Sequence, residues 1–291
     1  MKFPSNRLDS IIKVFRNQLS GLYPENEITS FIAISFKKIL DFSRIDLILN
    51  AEQNINESDL LKINTVIKEL KHFKPIQYVF GRTIFMDCII NINASVLIPR
   101  PETEELVSLV LKEKVGGDDL KILDIASGSG CIAIALKKHL QNAIVYGTDI
   151  SSEAIEIAKE NALINDTNIS FYLHDITSHE NIFQDSFFDI IISNPPYVLE
   201  SEKLEMHPNV LNFEPHIALF VPNEDPLIFY QYILQKGIKW LKPGGALYVE
   251  LNSSQFNKLY SVFKQLGYIS IVKQKDINGK IRFIKGEKPL I

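Results

Sequence analysis

The chain has 291 residues, of which 46% are hydrophobic and 23% are charged, so it is long enough for two globular domains or one large one. Its formal net charge of −4 gives no general attraction to nucleic acid, because proteins that grip the DNA backbone usually carry a basic surplus. No apolar run approaches the roughly 18 residues of a membrane span and no targeting segment is recognisable, so we expect a cytoplasmic protein that touches no membrane.

The first part of the chain has the periodicity of several short helices. Apolar side chains recur at helical spacing from Leu8 to Leu19, again after Pro24, and again after residues 56–59, which form a candidate capping segment. No cluster of acids, bases or nucleophiles occurs in this part of the sequence. We therefore predict a helical domain over residues 1–74 that docks a substrate and does not itself catalyse.

A β-rich stretch follows Pro75, which ends the last of these helices. The runs Thr83–Phe85 and Cys88–Ile92 are separated by two residues, which is typical of a short hairpin. We predict that residues 75–100 form a β-hairpin linker and that a catalytic domain occupies residues 101–291.

From residue 121 onward, predicted strands and helices alternate, which indicates a parallel sheet with helices on both faces. An Asn-Gly turn near the end of the chain joins two further β segments into an antiparallel hairpin. The predicted fold is thus an α/β, Rossmann-like domain with a seven-stranded, mostly parallel sheet. Its strands are predicted at 121–125, 143–149, 169–174, 188–193, 246–251, 270–275 and 282–285, and its helices at 131–139, 153–163, 226–241 and 255–266.

The first strand of that sheet carries Asp124 near its end, and a loop with two glycines joins it to the next helix. Such glycines let a ligand approach the backbone, and the helix N-terminus offers free N–H groups. A carboxylate at this position would repel a pyrophosphate and suits the cationic S-adenosylmethionine, so we favour this cofactor over a dinucleotide. The glycine loop expected to bind it comprises Ala126, Ser127, Gly128, Ser129 and Gly130.

Two further carboxylates follow the next two strands. Asp149 is placed to accept hydrogen bonds from both ribose hydroxyls, or else to cap the following helix. Asp175 is placed to accept from the adenine amino group, with Ile176 packed on the ring, or else is a plain loop carboxylate. We predict that all three residues bind the cofactor.

A buried strand stops abruptly at Asn194-Pro195-Pro196-Tyr197, which we call the proline loop. A planar amine is a poor nucleophile because its lone pair is delocalised. The Asn194 carboxamide oxygen and the Pro195 carbonyl can accept its two hydrogens, which favours a tetrahedral nitrogen. Tyr197 can pack against the flat target group. We predict that Asn194, Pro195 and Tyr197 are catalytic, that the whole loop binds substrate, and that Asn194 also borders the cofactor.

No metal is expected to take part. The six histidines show no metal-ligand spacing with Cys88 or Cys131. The two cysteines lie far apart in apolar contexts, so we expect them to be reduced, buried thiols.

Over nearly its whole length the sequence resembles the protein-(glutamine-N5) methyltransferase family, whose members modify peptide chain release factors. Asn-Pro-Pro-Tyr alone is shared with DNA adenine methyltransferases, whereas the Ile-Pro-Arg-Pro-Glu-Thr-Glu segment at 98–104 and the Phe-Glu-Pro segment at 213–215 are far more specific. The matching segments are 75–78 with Gly81, 97–105, the glycine loop, 194–198, 213–219, 243–245, Glu250 and 275–282.

The resemblance implies a class I methyltransferase fold and a substrate. Members of the family methylate the side-chain amide of the glutamine in the Gly-Gly-Gln loop of class 1 release factors, using S-adenosylmethionine and forming S-adenosylhomocysteine. Carried over, Asn194 and Pro195 hold that amide and Tyr197 lines its slot. We expect a monomer that does not bind nucleic acid directly and whose helical domain helps to grip the release factor.

Alternative targets keep the same chemistry: a ribosomal-protein glutamine, or the N6 amine of adenine in nucleic acid. A non-catalytic scaffold is a third class, against which intact Asn194 and Asp149 speak.

Three details of the sequence stay open. The turn with Arg100 and Glu102 either starts a solvated helix or lies over the active site. Ala126 replaces a glycine that is usual in the family and costs little if its φ is negative. Ile176 replaces a frequent aromatic residue, so its contact with adenine is expected to be plainly apolar.

Overall fold

A computed structural model of the chain describes residues 3–113 and 119–291. The start of the expected helical domain, residues 1 and 2, and residues 114–118 of the expected catalytic domain lie outside this range. The described chain forms two compact units: residues 1–81 with 208–213, and residues 82–207 with 214–291. The predicted hairpin residues group with the second unit. The docking role of the first unit stays a prediction.

The first unit is built from amphipathic helices whose apolar faces meet in one core. Leu8, Ile11, Phe15 and Leu19 are completely buried along one face of the first helix, as their spacing predicts. Ser43 caps the third helix with a reciprocal hydrogen-bond pair to Asp46. The helices are α1 (Leu8–Leu19), α2 (Glu25–Leu40), α3 (Arg44–Leu49), α4 (Glu57–Lys71), capped by Asn56, and α5 (Ile76–Phe80).

The second unit alternates strands and helices from residue 121 onward. Its elements, together with α9 of the first unit, are β1 (Arg82–Phe85), β2 (Cys88–Asn91), α6 (Pro101–Glu113), β3 (Lys121–Ile125), α7 (Cys131–His139), β4 (Ile144–Asp149), α8 (Ser152–Ile164), β5 (Ile169–Leu173), β6 (Phe188–Ser193), β7 (Val198–Leu199), α9 (Pro208–Leu211), β8 (Phe220–Val221), α10 (Ile228–Trp240), β9 (Leu241–Glu250), α11 (Phe256–Gln265), β10 (Ile269–Lys275) and β11 (Ile281–Glu287). Short 3₁₀ turns occupy Glu200–Glu205, His216–Ala218 and Ser253–Gln255.

Within the described residues, the main sheet has seven strands in the order β10-β11-β9-β6-β3-β4-β5. Strands β9, β6, β3, β4 and β5 run parallel, and β11 is antiparallel to both β9 and β10. The inner strands carry runs of buried Ile, Leu and Val because helices cover both faces. This confirms the predicted α/β, Rossmann-like architecture with its seven-stranded, mostly parallel sheet and antiparallel C-terminal hairpin.

Three local predictions differ from the structure. Strand β9 begins at Leu241, which pairs with Phe188 before a register shift, so the Pro-Gly-Gly segment lies inside the strand. A short helix, α5, follows Pro75 and ends at Phe80, and its C-cap residue Gly81 has a φ of +68°. Strands β7 and β8 form a parallel pair of two residues each, too short to show a period in sequence.

The hairpin β1–β2 is bound by two asparagines four residues apart, Asn161 in α8 and Asn165, the C-cap residue of this helix. Asn161 donates to the carbonyl of Asn91 at 2.9 Å and accepts from its N–H at 2.7 Å. Asn165 makes the same pair of bonds with Ile89, at 2.7 and 3.0 Å. Residues i and i+4 lie on one face of a helix, so both side chains reach β2. They bind the free backbone N–H and C=O groups at the edge of the hairpin, as a neighbouring strand would.

Across residues 3–113 and 119–291, no helix combines the length and the apolarity that crossing a membrane requires.

Candidate active site

The carboxyl edge of the parallel strands brings the predicted segments together. Ile125, the last residue of β3, pairs with Ser193 of β6 and with Thr148 of β4. Asp149 at the end of β4 pairs with Leu173 of β5. The four loops that follow therefore emerge side by side and line one cavity, as open α/β sheets arrange their ligand sites. The predicted residues that line it are Ala126, Ser127, Gly128, Ser129, Asp149, Asp175, Ile176, Asn194, Pro195 and Pro196.

Two predicted site residues, Gly130 and Tyr197, are not among those lining the cavity. Gly130 has a φ of +77°, and a Cβ there would meet Ala158 Cβ at 3.0 Å, so glycine serves the close packing of the loop on α8. The Tyr197 hydroxyl donates to Glu250 Oε1 at 3.1 Å. The predicted packing of Tyr197 against a target amide stays a prediction.

The glycine loop is held in shape by hydrogen bonds to its backbone. The Ser127 N–H donates to the Thr148 carbonyl at 2.9 Å, and the Gly130 N–H donates to the Ser127 carbonyl at 2.8 Å. The fully buried Asn161 donates to the Ser129 carbonyl at 2.9 Å. A ligand therefore meets a preorganised loop, which lowers the entropy cost of binding.

Ala126 has a φ of +60°, so the condition for a cheap substitution, a negative φ, is not met. In this left-handed region the Cβ of an L-residue crowds the following carbonyl oxygen, at a cost of about 1–2 kcal/mol. The sequence departure therefore strains the loop that lines the cavity.

Asp149 is half-buried and organises the loop that faces it. Its Oδ2 accepts from the Gly128 N–H at 2.8 Å, and its Oδ1 accepts from the Ser151 N–H at 2.9 Å. Burial raises the pKa of this carboxyl group, although the two backbone donors oppose the shift. Ser151, and not Asp149, caps α8. Since each carboxylate oxygen has a further lone pair, the predicted ribose contact is compatible with this geometry.

Asp175 holds its own loop as well as lining the cavity. Its Oδ1 accepts from both the N–H and the hydroxyl of Thr177, at 2.8 and 2.7 Å. Ile176 beside it is half-buried and packs against the main core. Their predicted contacts with adenine stay predictions.

Asn194 reaches the cavity with its amide nitrogen already engaged. Its Nδ2 donates to Thr103 Oγ1 at 3.0 Å, and Thr103 in turn donates to Glu250 Oε2 at 2.8 Å. The nitrogen is thus held by the protein, which leaves the carboxamide oxygen for a ligand. The cavity wall also includes the buried Pro195.

Glu250 and Thr103 were not predicted as site residues. Glu250 ends β9 one residue after Val249, which pairs with Ser193, so it lies beside the start of the proline loop. It is 1% exposed, and burial raises its pKa to about 7 against the opposing hydrogen bonds. In the sequence, the sign that Glu250 belongs to the site is that it is a single acidic residue at the end of an apolar strand.

The turn at residues 98–101 lies at the cavity and not in open solvent. Arg100 lines the cavity and donates to Glu214 Oε1 at 2.5 Å. The other oxygen of the buried Glu214 accepts from the Ile98 N–H at 3.2 Å. One carboxylate thus joins the two sequence segments that were most specific in the family resemblance.

The acidic side chains near the glycine loop bear on the charge of the cofactor. Both carboxylate oxygens of Asp124 are completely buried, and neither has a hydrogen-bond partner among the described residues. Burial raises its pKa to about 8, and the charge of Asp149 adds to the shift. Asp124 does not line the cavity and keeps its proton at neutral pH, so the charge beside the glycine loop is that of Asp149, which lines the cavity. The carboxylate of Asp149 disfavours a pyrophosphate and suits a ligand with a sulfonium and an ammonium group. Among the described residues, no cluster of three or more His, Cys, Asp or Glu side chains offers a metal site.

Two family models match the chain. A methyltransferase domain covers residues 117–281, and a PrmC N-terminal domain covers residues 11–81. Among solved structures, the methyltransferase from Pyrococcus furiosus covers 70% of this chain with a TM-score of 0.51, and 90% of its own chain is covered. At 20% identity this likeness shows the fold alone.

Curated relatives match over almost the full length. The release factor glutamine methyltransferase of Flavobacterium psychrophilum is 42% identical over 94% of this chain and 98% of its own. That of Bacteroides thetaiotaomicron is 38% identical over 97% of this chain and 100% of its own. The chain belongs to the release factor glutamine methyltransferase family and is an enzyme of that type.

Proposed function

We propose that this enzyme methylates the side-chain amide nitrogen of the glutamine in the Gly-Gly-Gln loop of class 1 peptide chain release factors, which supports translation termination. S-adenosylmethionine is the proposed donor and S-adenosylhomocysteine the product. One observation carries the proposal: Asn194 lines the cavity with its amide nitrogen bound to Thr103, so an acceptor oxygen is available to an incoming amide.

The residues that would hold the donor follow from the cavity wall. The glycine loop and Asp149 would hold its methionine and ribose parts, and the turn at Asp175 and Ile176 its adenine. When bound, S-adenosylmethionine supplies an electrophilic methyl group.

The proline loop activates the nucleophile by geometry. The Asn194 oxygen and the Pro195 carbonyl accept the two N–H hydrogens of the glutamine amide, which draws its nitrogen towards a tetrahedral shape. The nitrogen would form its bond to the methyl carbon as the sulfur–methyl bond breaks and leaves its electron pair on the sulfur of S-adenosylhomocysteine. The positive charge that develops on the nitrogen would strengthen both hydrogen bonds. One of the two protons then leaves to water, and a neutral N-methyl amide remains. The loop's work is thus positioning and electrostatics, with no strong base.

The proposal is tested by mass spectrometry of the release-factor tryptic peptide that contains Gly-Gly-Gln, after incubation with enzyme and S-adenosylmethionine. We expect a mass increase of one methyl group on the glutamine, absent without enzyme and with the Asn194→Ala variant. Parallel incubations with ribosomal proteins and with DNA identify the alternative acceptors. Methylation of either of these, with the release factor unmodified, would overturn the assignment.

A further inference from the structure

A line of hydrogen bonds runs from the buried end of β9 to the cavity. Glu250 Oε2 accepts from the Thr103 hydroxyl at 2.8 Å, and Thr103 Oγ1 accepts from the Asn194 amide nitrogen at 3.0 Å. Glu250 and Thr103 are 1% and 3% exposed, so water does not compete for these groups. The three residues lie far apart in sequence, on α6, in the proline loop and at the end of β9, and meet only in the folded chain.

The direction of this line follows from the chemistry of its members. Above its pKa of about 7 the carboxyl group of Glu250 is ionised and can only accept, so at such pH it turns the single hydroxyl hydrogen of Thr103 towards itself. The side of Thr103 that faces Asn194 therefore presents lone pairs. A carboxamide offers either an acceptor oxygen or a donor NH₂ to such a group, and only the NH₂ is attracted.

We infer that Glu250, acting through Thr103, sets which end of the Asn194 carboxamide faces the cavity. The inference rests on the proposed function for its catalytic meaning. With the NH₂ group on Thr103, the oxygen is presented to the N–H groups of the target amide. With the carboxamide reversed, two donors would face each other and the target nitrogen would not be activated. Glu250 and Thr103 are thus positioning residues for Asn194.

Tyr197 explains why a carboxylate is needed at position 250. Its hydroxyl donates to Oε1 at 3.1 Å while Thr103 donates to Oε2, so Glu250 accepts on both oxygens. A glutamine has one acceptor oxygen and a donor NH₂ group. In Glu250→Gln the NH₂ group of the glutamine must donate to one hydroxyl, so either Tyr197 or Thr103 accepts where it donated before. The orientation of Asn194 is then no longer fixed.

The test compares isosteric variants by single-turnover methyl transfer to a Gly-Gly-Gln peptide. Thr103→Val keeps the shape but removes the acceptor, and we expect the maximal rate to fall at least about tenfold, the equivalent of one buried hydrogen bond. The peptide KM and the cofactor Kd should change by less than about threefold. Thr103→Ser restores the hydroxyl and should keep the rate within about threefold of wild type. Glu250→Gln should resemble Thr103→Val.

Two controls remove similar groups elsewhere in the second unit. Thr167→Val deletes a hydroxyl that donates to the Ala162 carbonyl at 3.1 Å. Glu113→Gln alters a carboxylate that accepts from the Tyr248 hydroxyl at 2.8 Å. Neither Thr167 nor Glu113 lines the cavity, and both variants should retain the wild-type rate.

A second readout needs no methyl transfer and so separates this inference from the proposed function. In ¹⁵N-labelled enzyme, the Asn194 side-chain NH₂ signal is assigned by its loss in Asn194→Ala. We expect slow hydrogen exchange of this NH₂ in wild type and Thr103→Ser, and exchange at least about tenfold faster in Thr103→Val and Glu250→Gln.

Equal exchange in wild type, Thr103→Val and Glu250→Gln would overturn the inference, even if the peptide is methylated. A Thr103→Ser variant as slow in transfer as Thr103→Val would also overturn it, because packing would then account for the loss. If the expected exchange pattern appears but no release-factor peptide is methylated, the proposed function fails while the orientation of Asn194 stands.

Discussion

Two loops of the second unit follow neighbouring strands but present different groups to the cavity. The glycine loop follows β3 and the proline loop follows β6, and the last residues of these strands, Ile125 and Ser193, pair directly. The glycine loop presents backbone and is shaped by bonds to its own main chain. The proline loop presents a side chain, Asn194, whose orientation is set by residues of α6 and β9. Both loops therefore depend on residues from other elements. In the glycine loop these residues fix the main chain, whereas in the proline loop they orient the side chain that is proposed to be catalytic.

The largest expected effect concerns the proline loop. Asn194→Ala should lower the rate of methyl transfer by at least about two orders of magnitude, as when one preorganised polar contact to a transition state is lost. Cofactor affinity should change much less, since the glycine loop remains intact. Single-turnover kinetics and calorimetry measure the two quantities. If both were lost equally, Asn194 would be mainly a cofactor ligand.

The opposite balance is expected at Asp149, which faces the glycine loop. Asp149→Ala should raise the cofactor Kd by about ten- to a hundredfold, the range for hydrogen bonds to a charged group. The transfer rate at saturating cofactor should fall less than in Asn194→Ala. Calorimetry with Asp149→Asn, which keeps one acceptor oxygen, should give an intermediate Kd. An unchanged Kd would remove Asp149 from the cofactor site.

The buried carboxyl group of Asp124 makes stability depend on pH. Its pKa is raised to about 8, so between pH 4 and 8 the folded state keeps a proton that the unfolded state releases. The stability that this proton contributes is fully present below the pKa that Asp124 has in the unfolded chain. Above that pKa the free energy of unfolding falls by about 1.4 kcal/mol per pH unit. Asp124→Asn removes this titrating group. The free energy of unfolding of the variant should therefore fall less steeply with pH than that of the wild type, by about 1.4 kcal/mol per pH unit.

Urea unfolding measures that slope through Trp240, the single tryptophan of the chain, which is buried in the second unit. Parallel slopes in the wild type and in Asp124→Asn would show that Asp124 is already ionised in the folded protein.

The smallest effect is expected at Ala126, where the glycine loop carries strain. Ala126→Gly removes a Cβ from a residue with a φ of +60° and should stabilise the protein by about 1 kcal/mol. Ala133→Gly, inside helix α7, is the matched control and should destabilise it by about 1 kcal/mol. Urea unfolding of both variants checks the signs. A loss of stability in Ala126→Gly would contradict the strain.

Much of the fold was predictable because its signals are local. The apolar runs of 188–193 and 121–125 predicted inner strands, and the helical spacing from Leu8 to Leu19 predicted α1. Strand β9 was placed five residues late, since its pairing of Leu241 with Phe188 depends on a partner strand. The pair β7 and β8 was missed because two residues show no period.

In the candidate site, too, some features have a local signal in the sequence and others depend on tertiary contacts. The glycine loop with Asp124 predicted a cationic cofactor, and the proline loop predicted a planar amine as the target, because those residue types at strand ends limit the chemistry. The family resemblance implied that this amine is a glutamine amide. The positive φ of Ala126 and the bonds from Asn194 through Thr103 to Glu250 appear only in the folded chain. The sequence by itself determined which groups are present, and the tertiary structure decided which way they point. The physical reason is that a hydrogen bond has a direction, and this one is set by a carboxylate 56 residues further along the chain, brought beside Asn194 by the pairing of β6 with β9.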